Sequence, residues 1–193
     1  SDAAGDNEID VSIYYAPYSA GEVTYAMDEN GMLVDVKFNN EDKYNFAFDT
    51  VDEIARREPN KLAMIHVAND MTARRFTFKD IKRASNQCAN YFASLGIGKG
   101  DKVMLVLKRH YQFWFAMLGL NKLGAIAIPA PNQLLVHDLE YRFNSAGVSA
   151  ILCTADGDTA HQVDMAAEKC DCLKTKIIVN GEREGRRSFD EEY

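Results

Sequence analysis

The thiol and imidazole side chains of this sequence form few of the close pairs that metal chemistry needs. Of the four cysteines (Cys88, Cys153, Cys170 and Cys172), only the last two are close in sequence, and the four histidines never lie four residues apart. A structural zinc site needs four ligands, and no second pair completes the Cys-x-Cys pair, so we predict no metal site. No secretion signal is visible at the acidic N-terminus, and we interpret the cysteines as reduced thiols.

Two loops contain patterns that are typical of catalytic or phosphate-binding motifs. Asp156 and Asp158 could act as a general base or as Mg²⁺ ligands, but we favour loop capping. The glycines of residues 96–100 follow a predicted helix and enter a strand, whereas a phosphate loop follows a strand and opens a helix. We therefore predict a helix cap and a turn there. Ser149 begins a strand and is no nucleophile elbow, so the residues alone predict no catalytic group.

Positive charge is concentrated between residues 71 and 110, a stretch that contains nine Lys and Arg residues and only two acidic residues, Asp80 and Asp101. We favour solvated helix faces as the explanation. Lys108 and Arg109 are the exception of interest, because they end an apolar strand and could face the phosphates of a ligand. The whole chain has a net charge of -7, which argues against general nucleic-acid binding.

Apolar spacing predicts alternating strands and helices between about residues 62 and 180. Predicted strands cover residues 62–67, 103–107, 125–128, 148–153 and 176–179, with four helices between them. The clearest helix begins after Thr77, with Asp80 completing a capping box and Gly96 ending it. This order predicts an α/β fold with repeated βαβ units and a mostly parallel sheet covered by helices on both faces. Ligands bind such sheets at the carboxyl ends of the strands.

The ends of the chain are less regular than its middle. We predict that residues 1–43 form an N-terminal extension with one weak hairpin at Asn30-Gly31, and that residues 44–193 form the α/β unit. Asp49 is expected to cap a short helix, and Trp114 to pack in the core. Residues 181–193 are polar, so the chain is interpreted as cut within a larger protein. No apolar run reaches the ~20 residues of a membrane span, and we expect a cytoplasmic protein without membrane partners.

From Tyr44 onward, short stretches in a fixed order resemble the front part of the AMP-forming acyl-CoA synthetases, above all the medium-chain enzymes. Each stretch is weak alone, but their order over about 150 residues makes chance an inadequate explanation. The stretches are residues 44–46, 58–63, 76–80, 95–103, 119–124 and 138–143, together with Asp49, Asp52, Glu53, Pro129 and Gln133.

The resemblance implies a ligase that activates a small or medium carboxylic acid with ATP and Mg²⁺ to an acyl-adenylate, and then transfers the acyl group to coenzyme A. Gln133 aligns with a glutamine that contacts coenzyme A, and it is the one site residue carried over; no catalytic residue is. The phosphate loop, adenine motifs and catalytic lysine of the family lie further along a family chain. The 193-residue fragment is therefore expected to be inactive and to bind no cofactor alone.

Two alternatives remain open from the sequence. Within the superfamily, the chain could belong to an aryl-CoA ligase or to a peptide-synthetase adenylation domain. Outside it, a non-catalytic flavodoxin-like binding module has the same alternation of strands and helices. The expected partners are a carboxylic acid, ATP and coenzyme A; a homo-oligomer is left open.

Overall fold

The computed structural model describes residues 23–38 and 42–193. The strands are β1 (Val23–Met27), β2 (Leu33–Phe38), β3 (Leu62–Val67), β4 (Ala73–Thr77), β5 (Lys102–Val106), β6 (Ile126–Pro129), β7 (Ala150–Thr154), β8 (Thr175–Val179) and β9 (Arg187–Ser188). The helices are α1 (Glu53–Arg57), α2 (Phe78–Ser94), α3 (Gln112–Leu123), α4 (Val136–Ala146), α5 (Thr159–Ala167) and α6 (Phe189–Glu192). A π-helical segment, Phe46–Asp52, leads directly into α1.

A parallel sheet organises the molecule and confirms the predicted α/β class. Its five strands have the order β6-β5-β7-β8-β9, and every neighbouring pair is parallel. β5 is the first strand of this sheet along the chain. The chain then forms β6 on one side of β5, and afterwards crosses to the other side of β5 to form β7. This reversal places a topological switch point between the carboxyl ends of β5 and β7, where open parallel sheets bind ligands.

The central strand β5 is buried on both faces, as its continuous apolar run predicts. Val103 and Leu105 belong to one core cluster, which also contains buried residues of α2 and α3. Met104 and Val106 belong to the other, together with buried residues of α4 and α5. Alternate side chains of one strand therefore join the two layers of helices to the sheet.

The strand predicted at residues 62–67 is present as β3, but the prediction that it belongs to the parallel sheet was wrong. β3 pairs antiparallel with β4 in a separate two-stranded sheet. Only residues 68–72 connect the two strands, and a connection this short can join antiparallel neighbours but not parallel ones. The sequence pattern missed β4 because it is exposed and contains two consecutive arginines, Arg74 and Arg75. Without an apolar run, it gave no strand signal.

The polar tail also forms structure that the sequence pattern missed. β9 adds the last strand to the parallel sheet, and α6 follows it. Phe189 is completely buried and stacks on Tyr193, with ring centroids 4.5 Å apart. One buried aromatic side chain therefore anchors an otherwise charged segment to the core.

Local signals at helix ends were mostly reliable. The capping box of Thr77 and Asp80 at the start of α2 is confirmed, and Gly96 follows α2 with a left-handed φ of 79°. The cap of the first helical segment is Asn45 rather than Asp49, since the Asn45 side chain accepts the N–H groups of Ala47 and Phe48. Asp49 instead accepts the Asn45 N–H at 2.6 Å.

We predicted that Trp114 packs in the core, and this prediction is wrong. It is 53% exposed and lies edge-on to Phe113. α3 is apolar nearly all round, but neighbours along a helix point about 100° apart, so a helix packed mainly against the sheet and α2 leaves some apolar positions outside.

A hairpin is present near the front of the described chain. β1 and β2 pair antiparallel, and the turn between them contains Asn30 and Gly31. Asp28 Oδ1 accepts the N–H groups of Asn30 and Met32, and Gly31 takes a left-handed φ of 76°. Residues 1–22 and 39–41 of the predicted extension lie outside the described residues, so the boundary at residue 43 stays a prediction. Within the described residues, no helix is long and apolar enough to span a bilayer.

Candidate functional site

An open cavity of about 1140 Å³ lies at the carboxyl edge of the parallel sheet, at the topological switch point. Its walls come from the segments that follow β5, β6, β7 and β8, from the β3–β4 hairpin, and from α6. The lining residues are His66–Asn69, Arg74, Leu105, Leu107–Phe113, Pro129–Asn132, Asp156, Asn180, Gly181 and Asp190. The sheet and a separate hairpin thus build the cavity together.

Three cationic side chains line this cavity. Lys108 and Arg109 follow β5 directly and are both exposed; Lys108 has a left-handed φ of 47°, which turns the chain sharply at the strand end. Arg74 reaches the cavity from β4, where it donates to the Tyr111 hydroxyl at 2.8 Å and lies 5.2 Å from the centre of the Tyr111 ring. This arrangement places positive charge on two walls, as a phosphorylated ligand requires.

His110 joins the loops after β5 and β7. Its Nε2 lies 2.7 Å from Thr154 Oγ1 and 3.5 Å from Asp156 Oδ2. Thr154 Oγ1 also accepts the N–H of Asp156 at 3.0 Å, which holds the β7 loop against the end of its own strand. Burial lowers the pKa of His110 and outweighs Asp156, which raises it. The imidazole is therefore mainly neutral at neutral pH and fixes the loops without adding positive charge.

Buried polar groups lie beside the cationic wall. Gln112 is 4% exposed and donates to Asp190 Oδ1 at 2.7 Å, and the other Asp190 oxygen accepts the Asn180 N–H at the same distance. Within the described residues, Gln112 Oε1 and His66 Nδ1 are buried without a hydrogen-bond partner. An unpaired buried acceptor is costly, so Gln112 Oε1 suits a donor that enters the cavity. Nδ1 of a neutral histidine donates or accepts according to its tautomer.

The structure brings some of the sequence candidates together and separates others. Lys108, Arg109 and Asp156 meet in the cavity. Asp158 instead stands at the start of α5, where it accepts from Gln162 Nε2 at 2.6 Å, which supports a local structural role. Gln133 is exposed in the turn directly after Asn132, the last cavity residue from the β6 loop, and does not itself line the cavity.

The glycine-rich segment 96–100 and Ser149 both lie at the opposite, amino edge of the sheet. Gly100 donates its N–H to Gly124 O at 3.0 Å, and Ser149 donates its N–H to Lys102 O at 2.9 Å. Both are structural, as predicted.

Sequence reasoning missed Gln112, Asn180 and Asp190 as cavity residues. The left-handed φ of Asn180, 64°, marks a turn at the end of β8. An asparagine directly after an apolar run is a signal that could have identified this turn. Nothing local marks Asp190, which reaches the cavity because β9 and α6 return to the sheet.

The residues suit some of the ligands implied by the resemblance better than others. Among the residues that the structure describes, no group of three His, Cys, Asp or Glu side chains is placed to hold a metal ion, whereas Mg²⁺ is usually held by one or two carboxylates together with phosphate oxygens and water. The three cations suit the phosphates of a ligand such as coenzyme A, and the unpaired Gln112 Oε1 suits one of its N–H or O–H donors.

Comparison with known proteins identifies relatives of this chain. The family model described as "AMP-binding enzyme" matches residues 51–192. Acyl-coenzyme A synthetase ACSM5, mitochondrial, from Mus musculus is 33% identical over 144 residues, which are 71% of this chain and 24% of that protein. Acyl-coenzyme A synthetase ACSM3, mitochondrial, from Homo sapiens is 30% identical over 161 residues, 80% of this chain and 27% of that protein. The chain thus spans about a quarter of the length of these relatives.

A solved structure shares the fold. The anthranilate CoA ligase AuaEII, in complex with anthranoyl-AMP, matches with a TM-score of 0.64 and 23% identity over 77% of this chain and 27% of its own. The family match covers most of the chain, and the named relatives are acyl-CoA synthetases, which confirms the resemblance seen in the sequence. The chain belongs to the AMP-binding enzyme family.

Proposed function

We propose that this chain is part of an AMP-forming acid–thiol ligase, which activates a small or medium carboxylic acid with ATP and passes the acyl group to coenzyme A. The observation that carries the proposal is the cationic cavity at the topological switch point of the parallel sheet, in a chain that belongs to the AMP-binding enzyme family. The relatives named acyl-CoA synthetases support the class of reaction.

In this proposal the chain binds and orients the thiol substrate. Lys108, Arg109 and Arg74 hold phosphate groups, since charge-assisted hydrogen bonds to phosphate are strong. Gln133, beside the cavity, contacts coenzyme A. When bound, ATP with Mg²⁺ supplies the AMP leaving group that activates the acid. None of the cavity residues is assigned a catalytic role, and the residues that carry the ATP chemistry lie outside this chain.

A second candidate is an aryl-CoA ligase. The structural neighbour named an anthranilate CoA ligase favours it, whereas the relatives named ACSM5 and ACSM3 favour the first candidate. Turnover of a panel of straight-chain and aromatic acids distinguishes the two. Localisation is also a proposal: the sequence suggests the cytoplasm and the relatives' names suggest mitochondria, which imaging of the tagged full reading frame decides.

The test compares the 193-residue chain with the complete ligase that contains it. Given acid, ATP, Mg²⁺ and coenzyme A, the complete ligase is expected to release AMP and pyrophosphate in equal amounts with acyl-CoA. The 193-residue chain is expected to show no acid-dependent ATP–pyrophosphate exchange above background. Release of ADP and phosphate would contradict the proposed reaction. Exchange by the 193-residue chain would contradict the proposal that the residues for the ATP chemistry lie outside it.

A further inference from the structure

Two thiols meet in the connection between α5 and β8, at the amino edge of the sheet and away from the cavity. Cys170 Sγ and Cys172 Sγ lie 2.7 Å apart. Cys170 is 7% exposed, whereas Cys172 is half-buried and follows the exposed Asp171. One thiol of the pair is therefore accessible to a small reagent, and the other lies directly behind it.

Backbone contacts on both sides hold this pair in place. The Cys170 N–H donates to Ala167 O at 3.1 Å, which ties the first thiol to the last turn of α5. Cys172 Sγ donates to Phe143 O at 3.3 Å, which ties the second thiol to α4. The side chain of Asn144 adds a bond to Lys169 O at 3.4 Å. The two sulfur atoms meet in a connection that is fixed at both ends.

We propose that Cys170 and Cys172 form a reversible redox pair, which a small-molecule disulfide of the glutathione class converts into an intramolecular disulfide. The Cys172 thiolate attacks one sulfur of the reagent, forming a mixed disulfide and releasing one reduced thiol. The Cys170 thiolate then attacks Cys172 Sγ, closing the internal bond and releasing the second thiol. The reagent gains two electrons and two protons, and the protein loses the same number. This proposal is independent of the proposed function.

Closing the disulfide leaves the carbonyl next to the pair with hydrogen-bond donors. Oxidation removes the S–H donor of Cys172, but Phe143 O still accepts the N–H groups of Gly147 and Val148. The Phe143 carbonyl is therefore not left without a partner, so the step carries no penalty of that kind.

The other two cysteines are poor competitors. Cys88 and Cys153 are completely buried, so a dissolved disulfide does not reach their sulfur atoms, whereas Cys172 is half-buried. Burial raises the pKa of Cys88, of Cys153 (to about 11) and also of Cys172, so exposure rather than the pKa distinguishes Cys172, and the reaction is run at a pH that favours the thiolate. Cys153→Ser therefore serves as the control variant.

In the experiment, the folded 193-residue chain reacts with oxidised glutathione at pH 8. Mass spectrometry then measures the mass of the intact chain and, after trypsin digestion, the masses of its peptides. Cleavage after Lys169 and Lys174 releases residues 170–174 as one peptide, which separates this pair from Cys88 and Cys153. We expect this peptide to lose two hydrogen atoms, and to regain them with a thiol reductant. Cys170→Ala is expected to retain one glutathione on Cys172, Cys172→Ser to stay unmodified, and Cys153→Ser to behave as the parent chain.

A trivalent arsenical provides a second measurement on the unmutated chain. Phenylarsine oxide bridges two neighbouring thiols with loss of water, and we expect one equivalent to bind and to block the glutathione reaction. A glutathione that remains on Cys172 of the parent chain would overturn the proposal. So would oxidation outside residues 170–174, or no reaction with either reagent.

Discussion

At Gly119, α3 lies close against α2. A Cβ atom there would lie 2.8 Å from Cys88 Cβ and 3.0 Å from the Ala89 backbone nitrogen. Alanine favours a helix by about 1 kcal/mol over glycine, but forcing two packed helices apart costs about 1–3 kcal/mol. Both contacting atoms are held by the backbone and cannot rotate away, so the upper half of this cost applies, and we expect Gly119→Ala to lower the free energy of unfolding by about 1–2 kcal/mol in urea denaturation.

Gly98 offers the matched control for this substitution. A Cβ atom added at this residue would meet no other atom within 4 Å, and its φ is not left-handed. Gly98→Ala is expected to leave the free energy of unfolding within about 0.5 kcal/mol of the parent chain. Equal stabilities for the two variants would show that close approach of the helices is not what requires glycine at residue 119.

The cavity shows how far residue patterns alone could predict a site. Lys108 and Arg109 were predictable, because two cations directly after a buried strand must lie at the carboxyl edge of a parallel sheet. Gln112 was not, because its role depends on a hydrogen bond to Asp190, 78 positions further along the chain. Position in sequence indicates which edge a residue reaches, but not which distant side chain it meets there.

At the scale of elements, the start of α2 depends on a local hydrogen-bond exchange. Thr77 Oγ1 accepts the Asp80 N–H at 3.2 Å, and Asp80 Oδ2 accepts the Thr77 N–H at 2.9 Å. We expect Thr77→Ala to lower the free energy of unfolding by about 1 kcal/mol, because a helix N–H loses its partner. Thr77→Ser keeps the hydroxyl and should retain most of this stability in thermal denaturation. If the serine variant loses as much as the alanine variant, the cap is not the cause.

An ion-pair cluster joins α5 to β8 and to the segment after it. Asp164 accepts from Lys176 at 3.0 Å and from Arg183 and Arg186 at 2.7 Å each. Burial raises the pKa of Asp164, but its hydrogen bonds with Lys176 and Arg183 and the charge of Arg186 outweigh that effect, and the pKa is lowered.

The lowered pKa of Asp164 makes a prediction about acid stability. A carboxyl with a lower pKa in the folded state stabilises the fold above its unfolded pKa of about 3.9, and this contribution is lost as the pH falls through the folded value. We expect Asp164→Asn to be less stable than the parent at pH 7, with the difference shrinking toward pH 3. Urea denaturation across this range measures it, and a difference independent of pH would contradict the assignment.

The elements differ in how clearly the sequence predicts them. α2 was predicted because its cap, its apolar face and its terminal glycine all agree. β4 was not, because an exposed hairpin strand needs no apolar run, and neither was β9, which has two residues. The parallel partners of β5 followed from chain order, whereas the antiparallel pairing of β3 depended on the length of one turn.

At the scale of the whole molecule, the cavity depends on the combination of two sheets. The carboxyl edge of the parallel sheet follows from a general rule of α/β folds. The contribution of Arg74 does not, since it requires the β3–β4 hairpin to stand beside that edge, where Tyr111 links them. The sequence did not predict this geometry, because it depends on how the separate hairpin packs beside the sheet.

The central claim is that this cavity serves the thiol substrate and not the activation of the acid. In the complete ligase, Arg109→Ala removes a cation from the cavity, and because Arg109 is exposed the substitution does not alter the buried core. A charge-assisted hydrogen bond to phosphate contributes about 1.5–3 kcal/mol, so the KM for coenzyme A should rise about tenfold or more. Arg75→Ala, on the hairpin but outside the cavity lining, is the matched control.

The measurement that tests this claim most directly compares the two half-reactions of Arg109→Ala. We expect acid-dependent ATP–pyrophosphate exchange to stay at the rate of the parent enzyme, while the KM for coenzyme A in thioester formation rises about tenfold or more. An unchanged KM for coenzyme A, or a parallel fall in pyrophosphate exchange, would contradict the claim.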